Sequence, residues 1–253
     1  ISNNVIAKEN MEGFGITGNG TTGGVNSRNG FISSGNNVYQ IYMNNNNTQI
    51  IYGWLNGAST PTNSYTVRSY GVVCYVAEQD AIYFSNSSSD LVKITLSTGA
   101  TSTVKTNAIL SGSTYFRSAY SNGWIWYIRS SSYTTQIVSV RLSDGLQIQW
   151  SNLAGVSYSS GLKLAVSYDE DSDKFYVYRT NSGANGTISR TICPITKTTM
   201  DAFTSNQVYG TSWAGATAPN ASTTYVLSGD YFGATMAGHP TDGEKFYAAQ
   251  VTN

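Results

Sequence analysis

The densest group of carboxylates in the chain lies at residues 169–173, which read Asp-Glu-Asp-Ser-Asp. Aspartates at alternate positions, here Asp169, Asp171 and Asp173, are the residues with which an EF-hand calcium loop begins. The match ends there, because Lys174 stands where that loop needs glycine and Thr180 where it needs a bidentate glutamate. An Asp-rich turn is therefore the preferred interpretation and a calcium site the alternative. No other cofactor is predicted.

Acid–base catalysis has few candidates in this sequence. The single histidine, His239, excludes a zinc site made of several histidines of this chain and leaves one base for a Ser-His-Asp triad. It precedes Pro240 and follows a glycine, as in a turn. A carboxylate pair for glycoside hydrolysis has no spacing signal, and no glycine-rich phosphate loop leads into a helix. The sequence therefore predicts no catalytic residue.

Tryptophans are the side chains best suited to hold a ligand, since an indole ring can stack on a sugar ring or a protein surface. The competing interpretation places them in a core between sheets. Trp124 and Trp126 are two residues apart and so face the same side of a strand. The candidate ligand-binding residues are Trp54, Trp124, Trp126, Trp150 and Trp213.

The composition indicates a neutral polar surface. Only 11% of the 253 residues are charged and the formal net charge is zero, against about 25% charged residues in an average soluble domain. Without a basic stripe, nucleic acid is excluded as a partner, and no apolar stretch is long enough to insert into a membrane. Such a surface is typical of secreted or extracellular proteins and of virion surfaces, where we expect a protein or glycan partner and leave room for higher-order assembly.

Five Asn-x-Ser/Thr sequons accompany this surface. If the chain passes through a eukaryotic secretory route, they become sites of N-glycosylation. The asparagines are Asn19, Asn46, Asn86, Asn185 and Asn220.

The elements that position these residues are strands that recur along the chain. An apolar strand core appears at 38–42, 81–84, 124–128 and 175–178, and the intervals from Tyr39 to Ile82, Ile125 and Tyr176 are 43, 43 and 51 residues. Each core is preceded by a strand and a polar turn, and is followed by a second strand and usually another turn. This predicts hairpins in series with almost no helix. A recurrence of about 40–50 residues is that of a propeller blade.

The run AIYFSNSSSDLVKITLSTG at 81–99 resembles blades of the YVTN/YWTD-like and quinoprotein-like β-propellers, and WIWYIRSSSYTTQIVSVRLSDG at 124–145 fits the same pattern. The resemblance implies a single all-β domain over 1–253, a β-propeller of five or six four-stranded blades, with the blade-like repeats clearest in 30–203. The runs at 81–99 and 124–145 lack the Trp-Asp signature of WD40 blades and the Gly-Gly pair of kelch blades. The alternative fold is a β-sandwich or a β-rich fibre domain.

Three functions from different classes follow. The preferred one is a non-enzymatic binding or structural module, displayed outside the cell or on a virion, that contacts glycans or proteins. The second is a secreted carbohydrate-active enzyme, a glycosidase or lyase on a propeller scaffold. The third is an architectural subunit of a fibre, sheath or tail.

Two packing predictions also follow from the repeats. Leu96 and Leu142 end equivalent strands and are expected to be buried between blades. Cys74 and Cys193 fall in units that are not neighbours, too far apart for a disulfide, so we expect two free, buried thiols.

Overall fold

The computed structural model describes residues 30–43, 49–68, 73–108, 118–131, 134–150, 164–180, 188–209, 234–238 and 246–250. The fold class is all-β, as predicted. The described strands form five sheets, and no closed barrel or ring of sheets is evident among them.

The first two sheets are four-stranded antiparallel meanders, in which each strand pairs with the next along the chain. Sheet I contains β1 (Gly30–Ser34), β2 (Asn37–Met43), β3 (Gln49–Trp54) and β4 (Asn63–Val67). Sheet II contains β5 (Val73–Val76), β6 (Ala81–Ser85), β7 (Leu91–Thr95) and β8 (Thr101–Lys105).

The remaining strands form three further sheets. Sheet III contains β9 (Ser118–Ser121), β10 (Trp124–Ser131), β11 (Thr134–Arg141) and β12 (Gln147–Trp150). Sheet IV contains β13 (Leu164–Asp169), β14 (Lys174–Thr180) and β15 (Ile188–Ile192). After these come the helix α1 (Lys197–Asp201), β16 (Gln207–Tyr209), and the hairpin of β17 (Ala234–Gly238) and β18 (Phe246–Gln250).

The predicted strand cores are the second strands of the first four sheets. Their hairpins use the turn chemistry that the sequence indicates. Asn122 and Gly123, with φ of 44° and 85°, form the two-residue turn that joins β9 to β10. Asn-Gly favours this turn because both residues tolerate positive φ and the resulting twist matches that of the strands.

In sheet II, burial falls from the first strand to the last. Every residue of β5 and β6 is buried, whereas Thr101–Thr103 on β8 are exposed. Strands that are buried on both faces lie between two neighbouring layers. Sheet II therefore has a partner on each side.

Successive sheets share hydrophobic cores, and alternate residues of one strand face different neighbours. Val73 and Tyr75 pack with sheet I, while Cys74 and Val76 pack with sheet III. In the same way Trp124 and Trp126 face sheet IV, which confirms that they lie on one side of their strand. Because successive side chains of a strand point to opposite faces, one strand contributes to two hydrophobic cores.

The first strands of sheets II, III and IV lie side by side. β9 contacts β5 on one side and β13 on the other, and β13 also contacts β17. The Ser118 hydroxyl of β9 donates to the Val73 carbonyl of β5 at 3.0 Å. Sheet I is joined to sheet II at the turns, where the Tyr39 hydroxyl donates to the Leu96 carbonyl at 2.9 Å.

The burial of the two equivalent leucines is confirmed. Leu96 has no exposed surface and packs in the core shared by sheets I and II. Leu142 is 4% exposed and packs in the core shared by sheets II and III. Each leucine follows the third strand of its sheet, and each donates its N–H to the turn before the second strand, to Asp80 and Gly123 respectively.

The fourth unit departs from the meander pattern in the described residues. Sheet IV has three strands, and β16 pairs in parallel with β12, as a fifth strand at the outer edge of sheet III. The segment at 193–209 therefore joins two sheets.

Both cysteines are free and buried, as predicted. Cys74 lies in the core of sheets II and III, and Cys193 in the core of sheets III and IV. Burial raises the pKa of Cys193 to about 12 and that of Cys74 well above its usual range. Because the thiolate is the reactive species, both thiols are protected in the folded protein.

Thiol titration with a chromogenic disulfide reagent tests this arrangement. We expect no rapid reaction in the folded protein and two equivalents after denaturation without a reductant, because neither thiol is paired. A chemically reduced and denatured sample provides the control for complete reaction. No thiol in the denatured sample, with a mass lower by two hydrogens, would contradict the separation of the two cysteines.

Candidate functional site

An open groove of about 720 Å³, called here the α1 groove, lies in the described part of the chain. It lies where the β5–β6, β9–β10 and β11–β12 turns meet α1 and the residues after it. These four segments contribute Gln79, Asn122, Ser143 and Phe203, among others. Three turns from two different sheets reach one place because successive sheets pack face to face with their hairpins at the same end.

Arg141, at the end of β11, lines the α1 groove. Its Nε and one terminal nitrogen donate to the two carboxylate oxygens of Asp144, at 2.9 and 2.5 Å. Its guanidinium also donates to the backbone carbonyls of Asp201 and Phe203, at 2.6 and 3.0 Å. A planar guanidinium suits this task because its donors are held in a fixed fork. Arg141 thus fastens the end of α1 to sheet III.

A second ion pair stands beside the first. The Asp201 carboxylate accepts the indole N–H of Trp124 at 2.8 Å through one oxygen and the Lys197 ammonium at 2.5 Å through the other. The Arg141 guanidinium carbon lies 5.8 Å from the Trp124 ring centroid, within range of a cation–π contact. Two cations and two carboxylates therefore neutralise one another inside the α1 groove.

The helix α1 is short, and its position depends on the turn between β13 and β14. Thr196 is the N-cap, and its hydroxyl accepts the Thr199 N–H at 3.1 Å. The Asp173 carboxylate accepts the Thr198 N–H at 3.1 Å, and the Asp173 carbonyl accepts the Lys197 N–H at 2.8 Å. Caps of this kind satisfy the orphan N–H groups of a first helical turn. Sheet IV thereby holds α1 against sheet III.

The Arg141 pair has a clear electrostatic effect. The hydrogen bonds that Arg141 donates to the Asp144 carboxylate lower the pKa of Asp144 and raise the pKa of Arg141. For Asp173, burial would raise the pKa, but hydrogen bonds from Thr198 and Tyr168 bring it below its usual value. Both aspartates are therefore held in the charged form by their folded surroundings.

Acid is expected to weaken the fold through these two carboxylates. An aspartate whose folded pKa lies below its unfolded value, about 3.9, stabilises the protein above that value. This contribution is lost as the pH falls through the lower folded pKa. The free energy of unfolding, measured with urea between about pH 2 and pH 7, should fall less steeply below pH 4 in Asp144→Asn than in the wild type. The control for loss of one negative charge is Asp171→Asn, at an exposed turn position; an identical acid slope in Asp144→Asn and the wild type would contradict the assignment.

The planar guanidinium of Arg141, with its fixed set of donors, is expected to contribute more to the free energy of unfolding than its positive charge does. Arg141→Lys keeps the charge but loses the planar fork, and should lower the free energy of unfolding by about 1–2 kcal/mol. Asp144 is half exposed, so the ion pair itself contributes at most about 1 kcal/mol and the carbonyl contacts supply the rest. Chemical denaturation measures the change, with Arg68→Lys after β4 as the matched control. Equal stabilities of the two variants would show that Arg141 does not fasten α1.

Among the aspartates of the predicted calcium loop, Asp169 ends β13, and Asp171 and Asp173 lie in the turn that follows, in line with the preferred interpretation of an Asp-rich turn. Asp169 accepts the Ser172 N–H at 3.2 Å and also the Ser172 hydroxyl, and Asp173 accepts the Tyr168 hydroxyl at 2.8 Å. Asp171 is exposed. In the part of the chain that the structure describes, no group of three or more histidine, cysteine, aspartate or glutamate side chains is arranged to hold a metal ion. Calcium binding stays a prediction.

The tryptophans fall into two groups. Trp124, Trp126 and Trp150 have no exposed surface, and the rings of Trp126 and Trp150 stack at a centroid distance of 5.9 Å. These three contribute to the core between sheets III and IV, leaving no ring face on which a ligand could stack. Trp54 is partly exposed beside Tyr52 and stays a ligand-binding prediction. Trp213 lies outside the described residues.

Among the predicted glycosylation sites, the structure describes Asn86. Its side-chain oxygen accepts the N–H groups of Ser88 and Asp90, at 3.0 and 2.9 Å, and so shapes the β6–β7 turn. The other sites, and the single histidine, lie outside the described residues: Asn19, Asn46, Asn185, Asn220 and His239.

Apart from Trp124, the residues that line the α1 groove were not identified from the sequence. Arg141 and Asp201 are 60 positions apart, and no local pattern relates them. One signal was present, because Thr196 followed by residues without a β alternation is typical of an N-cap. No helix in the described part of the chain is long and apolar enough to span a membrane.

No protein-family model matches this sequence, and no curated protein matches it significantly.

Proposed function

We propose that the chain is a β-propeller of five or six blades that acts as a non-enzymatic binding or structural module on an extracellular or virion surface. The proposal about the fold is supported by the side-by-side first strands of sheets II, III and IV and by the core that each sheet shares with the next. In a propeller the first strands of the blades surround a common axis, and the last strands lie outside. The fall in burial from β5 to β8 agrees with this arrangement.

The binding role is supported by the charged side chains of the α1 groove, which are all paired with groups of the protein itself. Arg141 and Asp144 hold each other, and Asp201 is shared by Lys197 and Trp124. A general acid or base must be free to exchange a proton with a substrate at hydrogen-bonding distance. Groups that are held in internal pairs stabilise a surface instead. This favours recognition over the alternative of a glycosidase or lyase.

A screen for ligands and activity tests the proposal. The purified chain is passed over an array of glycans and incubated with extracellular and particle-surface extracts, and recovered proteins are identified. In parallel, the release of reducing sugar and of unsaturated uronate is measured on polysaccharides. Saturable binding without turnover is the expected result. Turnover that is abolished in both Asp144→Asn and Asp201→Asn would establish a carbohydrate-active enzyme in its place.

A further inference from the structure

We propose that the α1 groove is a binding site for a neutral oligosaccharide. The inference rests on the binding role proposed above and gives it a place and a ligand class. The volume of the groove, about 720 Å³, falls within the range of about 300–1,000 Å³ that is usual for sites of small ligands.

Charge is the first argument for a neutral ligand. The two cations and the two carboxylates of the groove are paired, with the closest oxygen–nitrogen distance at 2.5 Å in both pairs. A sulfated, phosphorylated or sialylated ligand would have to displace a carboxylate from its cation, and it would meet two negative charges in doing so. A ligand without charge keeps both pairs intact and avoids that desolvation cost.

The contacts that the groove offers are the second argument. Ser143 and Thr204 are exposed, and their hydroxyls can both donate and accept. The Gln79 side-chain oxygen accepts a hydrogen bond from the Tyr83 hydroxyl. The Nε2 group of Gln79 is therefore its donor toward a ligand. Phe203 is partly exposed and adds an aromatic side chain to the same wall. Hydroxyl and amide groups around one aromatic ring match the hydroxyls and the C–H face of a sugar.

The geometry of the walls favours a glycan over a peptide. Extended peptides are recognised mainly by pairing with an open strand edge, and helical ones by an apolar groove. The α1 groove is walled by three turns, by α1 and by residues 202–204, and its described lining includes four charged side chains. Neither peptide mode has its usual surface here. The ligand class is therefore a neutral glycan of hexose or N-acetylhexosamine units.

The test uses the whole chain and a panel of neutral hexose and N-acetylhexosamine oligosaccharides, with sulfated and sialylated counterparts. Array binding is followed by calorimetry on the best ligand at low and high salt. Ser143→Trp and Thr204→Trp fill the groove from exposed positions, and Thr103→Trp, exposed on β8, is the matched control. Melting temperatures equal to that of the wild type establish that each variant is folded.

We expect a neutral ligand to bind the wild type and Thr103→Trp alike. Each groove variant should bind it at least tenfold more weakly, and the affinity of the wild type should change less than about twofold with salt, since no ion pair forms. Binding of charged glycans alone, no glycan binding, or neutral binding unaffected by both groove variants would overturn the inference. A protein that competes for the groove would overturn it as well but leave the binding role intact, whereas turnover of a bound glycan would overturn the binding role itself.

Discussion

Alanine at Gly145 is expected to lower the free energy of unfolding by about 2–5 kcal/mol. Gly145 has a φ of +71°, which costs an L-residue about 1–2 kcal/mol. A Cβ at this position would overlap the Cβ of Lys105, on β8 of sheet II. That atom is attached directly to the backbone and has little room to move. Relief of the clash must therefore separate the β11–β12 turn from sheet II, at a further cost of about 1–3 kcal/mol.

Gly57→Ala provides the matched control. Gly57 has nearly the same φ, +73°, but nothing lies within 4 Å of the position that its Cβ would take. It should show the conformational cost alone, about 1–2 kcal/mol. Urea denaturation of both variants measures the difference, which isolates the contact of sheet III with sheet II. Equal losses in the two variants would mean that the turn at Gly145 does not touch β8.

Leu142→Ala is expected to cost about 2–5 kcal/mol, through lost transfer free energy and the cavity that remains. Leu142 is 4% exposed and lies in the core that also contains Cys74, Tyr83 and Val140. A cavity there is bordered by two sheets whose backbones are fixed by their own ladders, so the site has little freedom to collapse. The loss should be near the upper half of the range if both sheets stay in place.

Two comparison variants sharpen this prediction. Leu96→Ala removes the equivalent side chain from the core of sheets I and II and should cost a similar amount. Leu55→Ala, at a partly exposed leucine just after β3, should cost distinctly less. The measurement is two-state chemical unfolding. A loss below about 0.5 kcal/mol for Leu142→Ala would contradict the equivalence of sheets II and III.

The strands were predictable because their signals are local. Trp124–Tyr127 and Phe175–Tyr178 combine aromatic and β-branched side chains between polar turns, and each forms the second strand of a sheet. The parity of Trp124 and Trp126 placed them correctly on one side. Whether these tryptophans lie in a core or on a ligand-binding surface was not predictable from the same signals, since an aromatic residue in a strand suits either place.

The α1 groove was beyond prediction because its contacts are distant in sequence and specific in geometry. Arg141 contacts Asp144 three residues away, which a turn sequence suggests, but also two carbonyls after α1. Likewise β16 contains only Gln207, Val208 and Tyr209, too short for an alternation to be recognised. Its parallel pairing with β12 depends on where α1 ends, and that in turn depends on Arg141.

The placement of β16 has a consequence for how the chain folds as it leaves the ribosome. β12 ends at Trp150, yet its outer neighbour begins only at Gln207. At about 5–20 residues per second, the ribosome needs several seconds to synthesise the residues between β12 and β16. The outer edge of β12 has no partner from β16 during that time. During this interval β12 presents unpaired backbone groups to other nascent chains, and an unpaired edge is a template for misassembly. The described strands of sheets I and II pair in the order in which they emerge, whereas sheet III is completed only after β16 has been synthesised.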